Sequence, residues 1–210
     1  MGTLKIIDLQ KTKVTSDSVD CVKMWSLNSE GLTADKIGEL SHLMAAGKPH
    51  VVSIQETWLK PQKPDSEISI PGYIIFRKDR TDAEHGGVLT YCRHDLCATL
   101  LESNFESEGF EVIWLRIKSH NKIWFIANVY RPPSSDDRIF DALSADIEKF
   151  QMGSTSSKVM LFGDFNCHHS TWLNSANMHG APKTNSAGLS CFAMCQTLGL
   201  ENLVMGNTFL

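Results

Sequence analysis

Apolar and polar positions repeat with two different periods along the chain, and each change of period marks an element. The first apolar stretch, Val19 to Leu27 with Val22, Met24 and Trp25, predicts a strand, which ends at the turn cluster Asn28-Ser29-Glu30-Gly31. The period then lengthens. Ile37, Leu40, Leu43 and Met44 fall on one face of a helix of about a dozen residues, with Thr33 as its cap and Gly47 and Pro49 as its stop. Val51-Val52-Ser53-Ile54 returns to a short apolar run, a second strand with Gln55-Glu56-Thr57-Trp58 at its C-terminal end. Strand, helix, strand in this order is the unit that makes a parallel pair.

Lys60 to Pro71 is a polar loop with three prolines. Strands are predicted at Tyr73–Phe76, Val88–Cys92, Val112–Ile117 and Lys122–Tyr130, the last two joined by the hairpin signal Ser119-His120-Asn121 and halted by Arg131-Pro132-Pro133. Asp136 or Asp137 opens an amphipathic helix bearing Ile139, Phe140, Leu143, Ile147 and Phe150. A Gly/Ser linker, Gly153 to Ser157, precedes Val159-Met160-Leu161-Phe162, whose unbroken apolar run predicts a strand buried on both faces. Gly163 breaks that run, and Asp164 and Asn166 follow at alternate positions, on one side of an extended chain. A polar loop with His168, His169, Trp172 and His179 leads to a helix over Ala187–Leu198, and Asn207 to Leu210 begins a further strand. Residues 1–18 read as a loose polar leader and 19–210 as one domain, without internal repeats. Strands interrupted by a few helices predict a layered α/β domain with a mixed sheet or two.

Composition narrows this. At 210 residues, 42% hydrophobic and 21% charged, the chain is globular rather than disordered. No apolar run is long enough to span a bilayer, and Met1 to Asp20 lack the apolar core of a signal peptide, so an intracellular protein without a membrane partner is expected. The six cysteines (21, 92, 97, 167, 191 and 195) then read as free thiols. Cys167, His168, His169, Cys191 and Cys195 lack the paired spacing of a zinc module, so buried helix cysteines are the better account. A net charge of −4 and a pI near 6.0 exclude a protein that holds nucleic acid by bulk electrostatics. They leave room for a local basic rim (Arg77, Lys78 and Arg80) or a bound cation. Gly86-Gly87 lacks the lysine and spacing of a phosphate loop and predicts a bend or a close backbone approach.

Asn28, Glu56, Tyr130 and the pair Asp164/Asn166 stand at the C-terminal ends of predicted strands. Each alone has a plain structural reading: a turn residue, a solvated charge, a sheet aromatic, an Asx turn. Together they suit hydrolysis of a phosphodiester, whose negative charge grows in the transition state. Glu56 can hold a hard divalent cation, with Asn28 near its water shell. Asp164 can orient or deprotonate the attacking water. Asn166 and Tyr130 can donate hydrogen bonds to non-bridging oxygens.

Leu27-Asn28, Gln55-Glu56-Thr57, Asn128-Val129-Tyr130-Arg131-Pro132-Pro133 and Gly163-Asp164-Phe165-Asn166 resemble, in order and spacing, the motifs of the endonuclease/exonuclease/phosphatase superfamily. The Tyr-Arg-Pro-Pro segment, with His169 and Trp172 after the Asp-Phe-Asn, looks like the endonuclease domain of non-LTR retrotransposons. The resemblance extends from about Val19 to Leu210. It implies a DNase I-like two-sheet β-sandwich flanked by helices, with a Mg²⁺ or Mn²⁺ site. Glu56 and Asn28 would serve the metal, Tyr130 the phosphate, and Asp164 and Asn166 water and phosphate. It also implies DNA as partner, the nucleus as place of work, and a reverse transcriptase in a longer parent. One motif of the family is missing: no Ser-Asp-His occurs in these 210 residues. On that basis two strands short, an exposed sheet edge and doubtful turnover are expected. An inactive remnant and a phosphatase of small phosphoesters are the alternatives.

Overall fold

The structure, a computed structural model, describes residues 7–8, 22–81, 83–103, 109–119, 122–152, 157–172 and 183–203. The chain divides into two compact units: residues 1–103, 111–130 and 154–164 form the first, and residues 104–110, 131–153 and 165–210 the second.

Among the described residues the first unit holds nine strands and one α-helix: β1 (Ile7–Asp8), β2 (Met24–Asn28), α1 (Ala34–Gly47), β3 (Val51–Gln55), β4 (Tyr73–Lys78), β5 (Val88–Arg93), β6 (Thr99–Leu101), β7 (Glu111–Ser119), β8 (Lys122–Tyr130) and β9 (Lys158–Asp164). They form a five-stranded sheet in the order β1-β2-β3-β5-β4 and a four-stranded sheet in the order β6-β7-β8-β9. Two pairs are parallel, β2 with β3 and β8 with β9. This is the DNase I-like sandwich that the motifs imply.

The period-2 alternation decides what lies where. On the first sheet Trp25, Leu27, Val52, Ile54, Leu89 and Tyr91 face α1 and join its Ile37, Leu40 and Met44 in one core. The alternate residues Met24, Val51, Val88 and Cys92 join Ile113, Leu115, Ile117, Ile126, Tyr130 and Phe162 in a second core between the sheets. Asn28 is in register with Met24, and Asp164 with Phe162, so both sit on inward faces at their strand ends. The alternation that builds the inner core thus delivers the candidate residues to its rim.

α1 forms as its sequence predicts: the Thr33 hydroxyl accepts from the Lys36 N–H at 3.4 Å, and Ile37, Leu40 and Met44 are buried. Its end differs. Lys48, not a glycine, takes the left-handed conformation (φ 48) and donates to the Met44 carbonyl at 2.8 Å. Gly47 is needed for packing, because a Cβ there would lie 2.4 Å from the Trp25 indole.

Several expectations need correction. β9 is not buried on both faces. Among the described residues it pairs only with β8, and Phe162 is its one fully buried residue, an edge-strand pattern. Gly163 does not break the strand; it continues it opposite Val129, where a Cβ would come within 1.8 Å of the Val129 carbonyl oxygen. The extended chain ends at Asp164, and Asn166 has φ 45, so strand alternation does not relate the two. Arg77 and Lys78 are inside β4 rather than beyond it. Two leader residues add an edge strand, Ile7 opposite Ser26. β6 was not expected, since three residues of which two are exposed carry no readable period.

The second unit contains α2 (Arg138–Gln151) and α3 (Ser186–Leu198), which touch one another. The Asn185 side chain caps α3, accepting from Gly188 N–H at 2.7 Å and from His168 N–H at 3.0 Å. At the start of α2, Asp136 accepts from the Arg138 N–H, while Asp137 bonds Arg131 and Ser190 instead. His179, Cys21, residues 120–121 of the hairpin, 153–156 of the linker and the expected strand at 207–210 lie outside the described residues. Among the described residues no helix is long and apolar enough to cross a membrane.

Candidate active site

Four of the five candidate residues meet in the first unit. Asn28 closes β2, Glu56 follows β3, Tyr130 closes β8 and Asp164 closes β9, so the site draws on both sheets. The Asn28 amide nitrogen donates to Glu56 Oε1 at 2.7 Å and to Asp164 Oδ2 at 3.1 Å. One neutral amide therefore holds two carboxylates that are 108 residues apart in the chain (164 − 56). The amide is itself oriented, since its oxygen accepts from the Glu30 N–H at 3.1 Å. In this orientation Asn28 offers the pair a donor rather than an oxygen.

Glu56 reaches the site through a left-handed backbone (φ 51) immediately after β3. That conformation costs about 1–3 kcal/mol for a non-glycine residue and persists where its surroundings fix it. Here Ser29 N–H donates to the Gln55 carbonyl, and Gly31 N–H to the Glu56 carbonyl, at 2.9 and 2.8 Å. Tyr130 is buried against the same charges. Burial first, then the Glu56 and Asp164 carboxylates, push its phenol well above the ordinary tyrosine range, so it stands as a proton-bearing donor at every ordinary pH. Behind it Glu111, opposite Tyr130 in the β7–β8 register, pairs with Arg80 at 3.4 Å.

Two like charges held by one amide are a poor arrangement in isolation and a good one for a hard dication. Among the described residues no group of three or more His, Cys, Asp or Glu converges as a metal site. A cation here would have carboxylate oxygens on one side and water on the rest, which suits Mg²⁺ or Mn²⁺ and not zinc.

Asn166, the fifth candidate, belongs to the second unit, where its amide nitrogen donates to the Arg131 carbonyl at 2.8 Å. Arg131 is itself buried, bonded to Asp137 at 3.0 Å and to the Ser135 carbonyl. His169 is also in that unit, stacked on Phe192 with ring centroids 4.2 Å apart and bonded to Thr171. The five described cysteines are free thiols. Cys191 is pushed up, first by hydrogen bonding with Cys167 and then with Cys195.

The basic rim is mostly spent. Arg77 pairs with Asp65 and Asp79, both at 3.1 Å, and bonds the Lys63 carbonyl. Gly86 and Gly87 make the close backbone approach their dipeptide predicts: their carbonyls accept from Trp58 and Thr57 N–H at 2.9 and 3.1 Å.

Sequence reasoning passed over the layer beneath the site. Asn128 accepts from Gln55 Nε2 at 2.7 Å and donates to the Ile54 and Leu89 carbonyls and to Thr90 Oγ1, at 3.2, 2.9 and 3.1 Å. It ties the two sheets together one residue before Glu56. The available signal was polarity at inward positions: Gln55, Thr90 and Asn128 each stand where the alternation calls for an apolar side chain.

Residues 25–184 match the sequence profile of the endonuclease/exonuclease/phosphatase family, and the chain belongs to that family. Solved structures agree at the level of fold. The endonuclease domain of TRAS1, a telomere-specific non-LTR retrotransposon, is 16% identical with a TM-score of 0.58, the match covering 84% of this chain and 71% of that one. The 3′-5′ exonuclease NExo from Neisseria meningitidis is also 16% identical with a TM-score of 0.58, over 83% of this chain and 70% of its own. The Neisseria 3′ phosphatase NExo (D146N), bound to a product DNA hairpin, gives the same identity and TM-score over 85% and 71%. Comparison with curated proteins found no match.

Proposed function

We propose that this chain is a divalent-cation-dependent phosphodiesterase that nicks DNA, of the retrotransposon endonuclease type. The observation that carries the reading is the Asn28 amide holding Glu56 and Asp164 together, 2.7 and 3.1 Å away, across two sheets. Glu56 would hold a Mg²⁺ or Mn²⁺ ion, with Asn28 keeping its carboxylate aimed. When bound, the cation supplies charge neutralisation on the phosphate. Asp164 orients the attacking water and takes its proton as the water oxygen bonds to phosphorus, while the opposite P–O bond breaks and the departing alkoxide takes its proton from solvent water. Tyr130, kept protonated, donates to a non-bridging oxygen as its charge grows.

The segment Tyr130-Arg131-Pro132-Pro133 supports DNA over a small phosphoester, as does the fold shared with a retrotransposon endonuclease domain. In that setting the chain works on nuclear DNA beside a reverse transcriptase carried by a longer parent. The test is nicking of supercoiled plasmid with Mg²⁺ and with EDTA, by the native chain, Glu56→Ala and Asp164→Ala. The expected result is Mg²⁺-dependent nicking that falls about 100-fold or more in both variants. Equal nicking by all three, or nicking in EDTA, overturns the assignment.

A further inference from the structure

We infer that Trp58, with His85 at its edge, stacks on a nucleobase flanking the cleaved phosphate. The inference rests on the phosphodiesterase reading and names a substrate contact which that reading leaves open. Trp58 is 38% exposed, and among the described residues no other large aromatic is exposed. Burial would be the default for an indole, since covering it removes much apolar area from water. The chain instead takes a second left-handed residue here, φ 54, two positions after the one at Glu56. For a bulky side chain that conformation is an outlier.

Several contacts hold it there. Trp58 N–H donates to the Gly86 carbonyl at 2.9 Å. Gly31 leaves space for the indole, because a Cβ at Gly31 would lie 2.6 Å from its Cε3. His85 meets the ring edge-on, with centroids 4.4 Å apart and planes at 70°. The ring is thus fixed in one orientation while a large part of it stays in water, next to the residue proposed to bind the cation. A preorganised aromatic surface of this kind suits base stacking, which tolerates any sequence because every base has a π-face.

The charge pattern points the same way. At −4 the chain gains little from counterion release on DNA. Several nearby cations are engaged internally, Lys60 on the carbonyls of Arg80 and Ala83, Lys63 on Glu67 and Arg77 on Asp65 and Asp79, while Lys78 is exposed. Affinity beyond the reacting phosphate must then come from contacts other than bulk attraction.

The experiment compares Trp58→Ala, Trp58→Phe and His85→Ala with the native chain on a short DNA oligonucleotide and on the same oligonucleotide made abasic beside the cleaved bond. Circular dichroism confirms that each variant folds. Trp58→Ala is expected to raise KM on the base-containing substrate about tenfold while leaving KM on the abasic one within about twofold, and Trp58→Phe to retain most of the native value. An equal loss on both substrates, or no loss on either, overturns the inference. If the native chain cleaves neither substrate, the phosphodiesterase reading has failed, and anisotropy binding of the two labelled oligonucleotides then decides stacking alone. A Trp58→Ala loss confined to the base-containing one sustains it. No binding by the native chain, or an equal loss on both, overturns it.

Discussion

Gln55 and Glu56 are neighbours with side chains of equal length, and the molecule uses them in opposite ways. Gln55 is 2% exposed, the last residue of β3, and its amide is bonded to Asn128 between the sheets. Glu56, one step on, leaves the strand through a left-handed turn and meets Asn28 and Asp164 at the rim. The interior accepts Gln55 and Thr90 because Asn128 gives each a partner. A carboxylate in the same place would need a counter-charge or would take up a proton. At this strand end the charge is kept at the rim, where water or a cation can answer it, and the neutral layer beneath fixes where the rim stands; elsewhere the buried charges Glu111 and Arg131 are paired, with Arg80 and Asp137.

The comparison predicts that the two regions fail differently. The largest effect is expected from Asp164→Asn and Glu56→Gln, which keep shape and remove charge. Nicking should fall by about 10²–10⁴ for Asp164→Asn and at least about 100-fold for Glu56→Gln. The melting temperature should hold or rise slightly, since a like-charge contact is relieved. A fall in stability with nicking intact would reverse the roles assigned to rim and interior.

Gly163→Ala is expected next. Its Cβ would lie 1.8 Å from the Val129 carbonyl oxygen, in the parallel ladder just before Asp164. Backbone must move, at a cost of about 3 kcal/mol, and Asp164 moves with it, so urea denaturation and nicking should both report the change. Asn128→Ala is smaller and cleaner. It strands the Gln55 donor inside and should cost about 2 kcal/mol in urea, with nicking per folded molecule within a few-fold of native. A large activity loss at unchanged stability would show that the layer acts on the chemistry directly.

The sequence disclosed the fold wherever period and burial coincide. Thr33, Ile37, Leu40 and Met44 gave α1, and the apolar runs gave β3, β5 and β8, because each is specified by local pattern. The candidate site was legible as strand-end polar residues, and four of them do meet. The rest was hidden for physical reasons. A left-handed turn at Glu56 or Trp58 has no composition signal, since only glycine and asparagine announce that conformation. Asn166 illustrates the converse: the alternation predicted past Asp164 is cancelled by one φ of 45. The Gln55–Asn128 bond joins residues that are distant in sequence, and no single strand carries a record of it.

The neutral character of the core between the sheets makes a last, smaller prediction. Cys92 faces the core between the sheets and is fully buried. Burial, with Asp95 adding to it, pushes its thiol from 9.0 up to about 12. The folded protein therefore holds this proton over a range where the unfolded chain has released it. Stability from this group is complete below about pH 9 and is lost as pH rises towards about 12, because deprotonation is available to the unfolded state first. Tyr91 and Tyr130, both raised chiefly by burial, steepen the decline above the ordinary tyrosine range. Urea midpoints measured from neutral to strongly alkaline pH should fall, with about a tenfold loss in the folded-to-unfolded ratio per pH unit for each thiol or phenol involved. Cys92→Ala should make the slope shallower by one proton in the lower part of that range, before the phenols begin to contribute. An unchanged slope in Cys92→Ala would mean that the inner core admits a thiolate, and the contrast between a neutral interior and a charged rim would lose its physical basis.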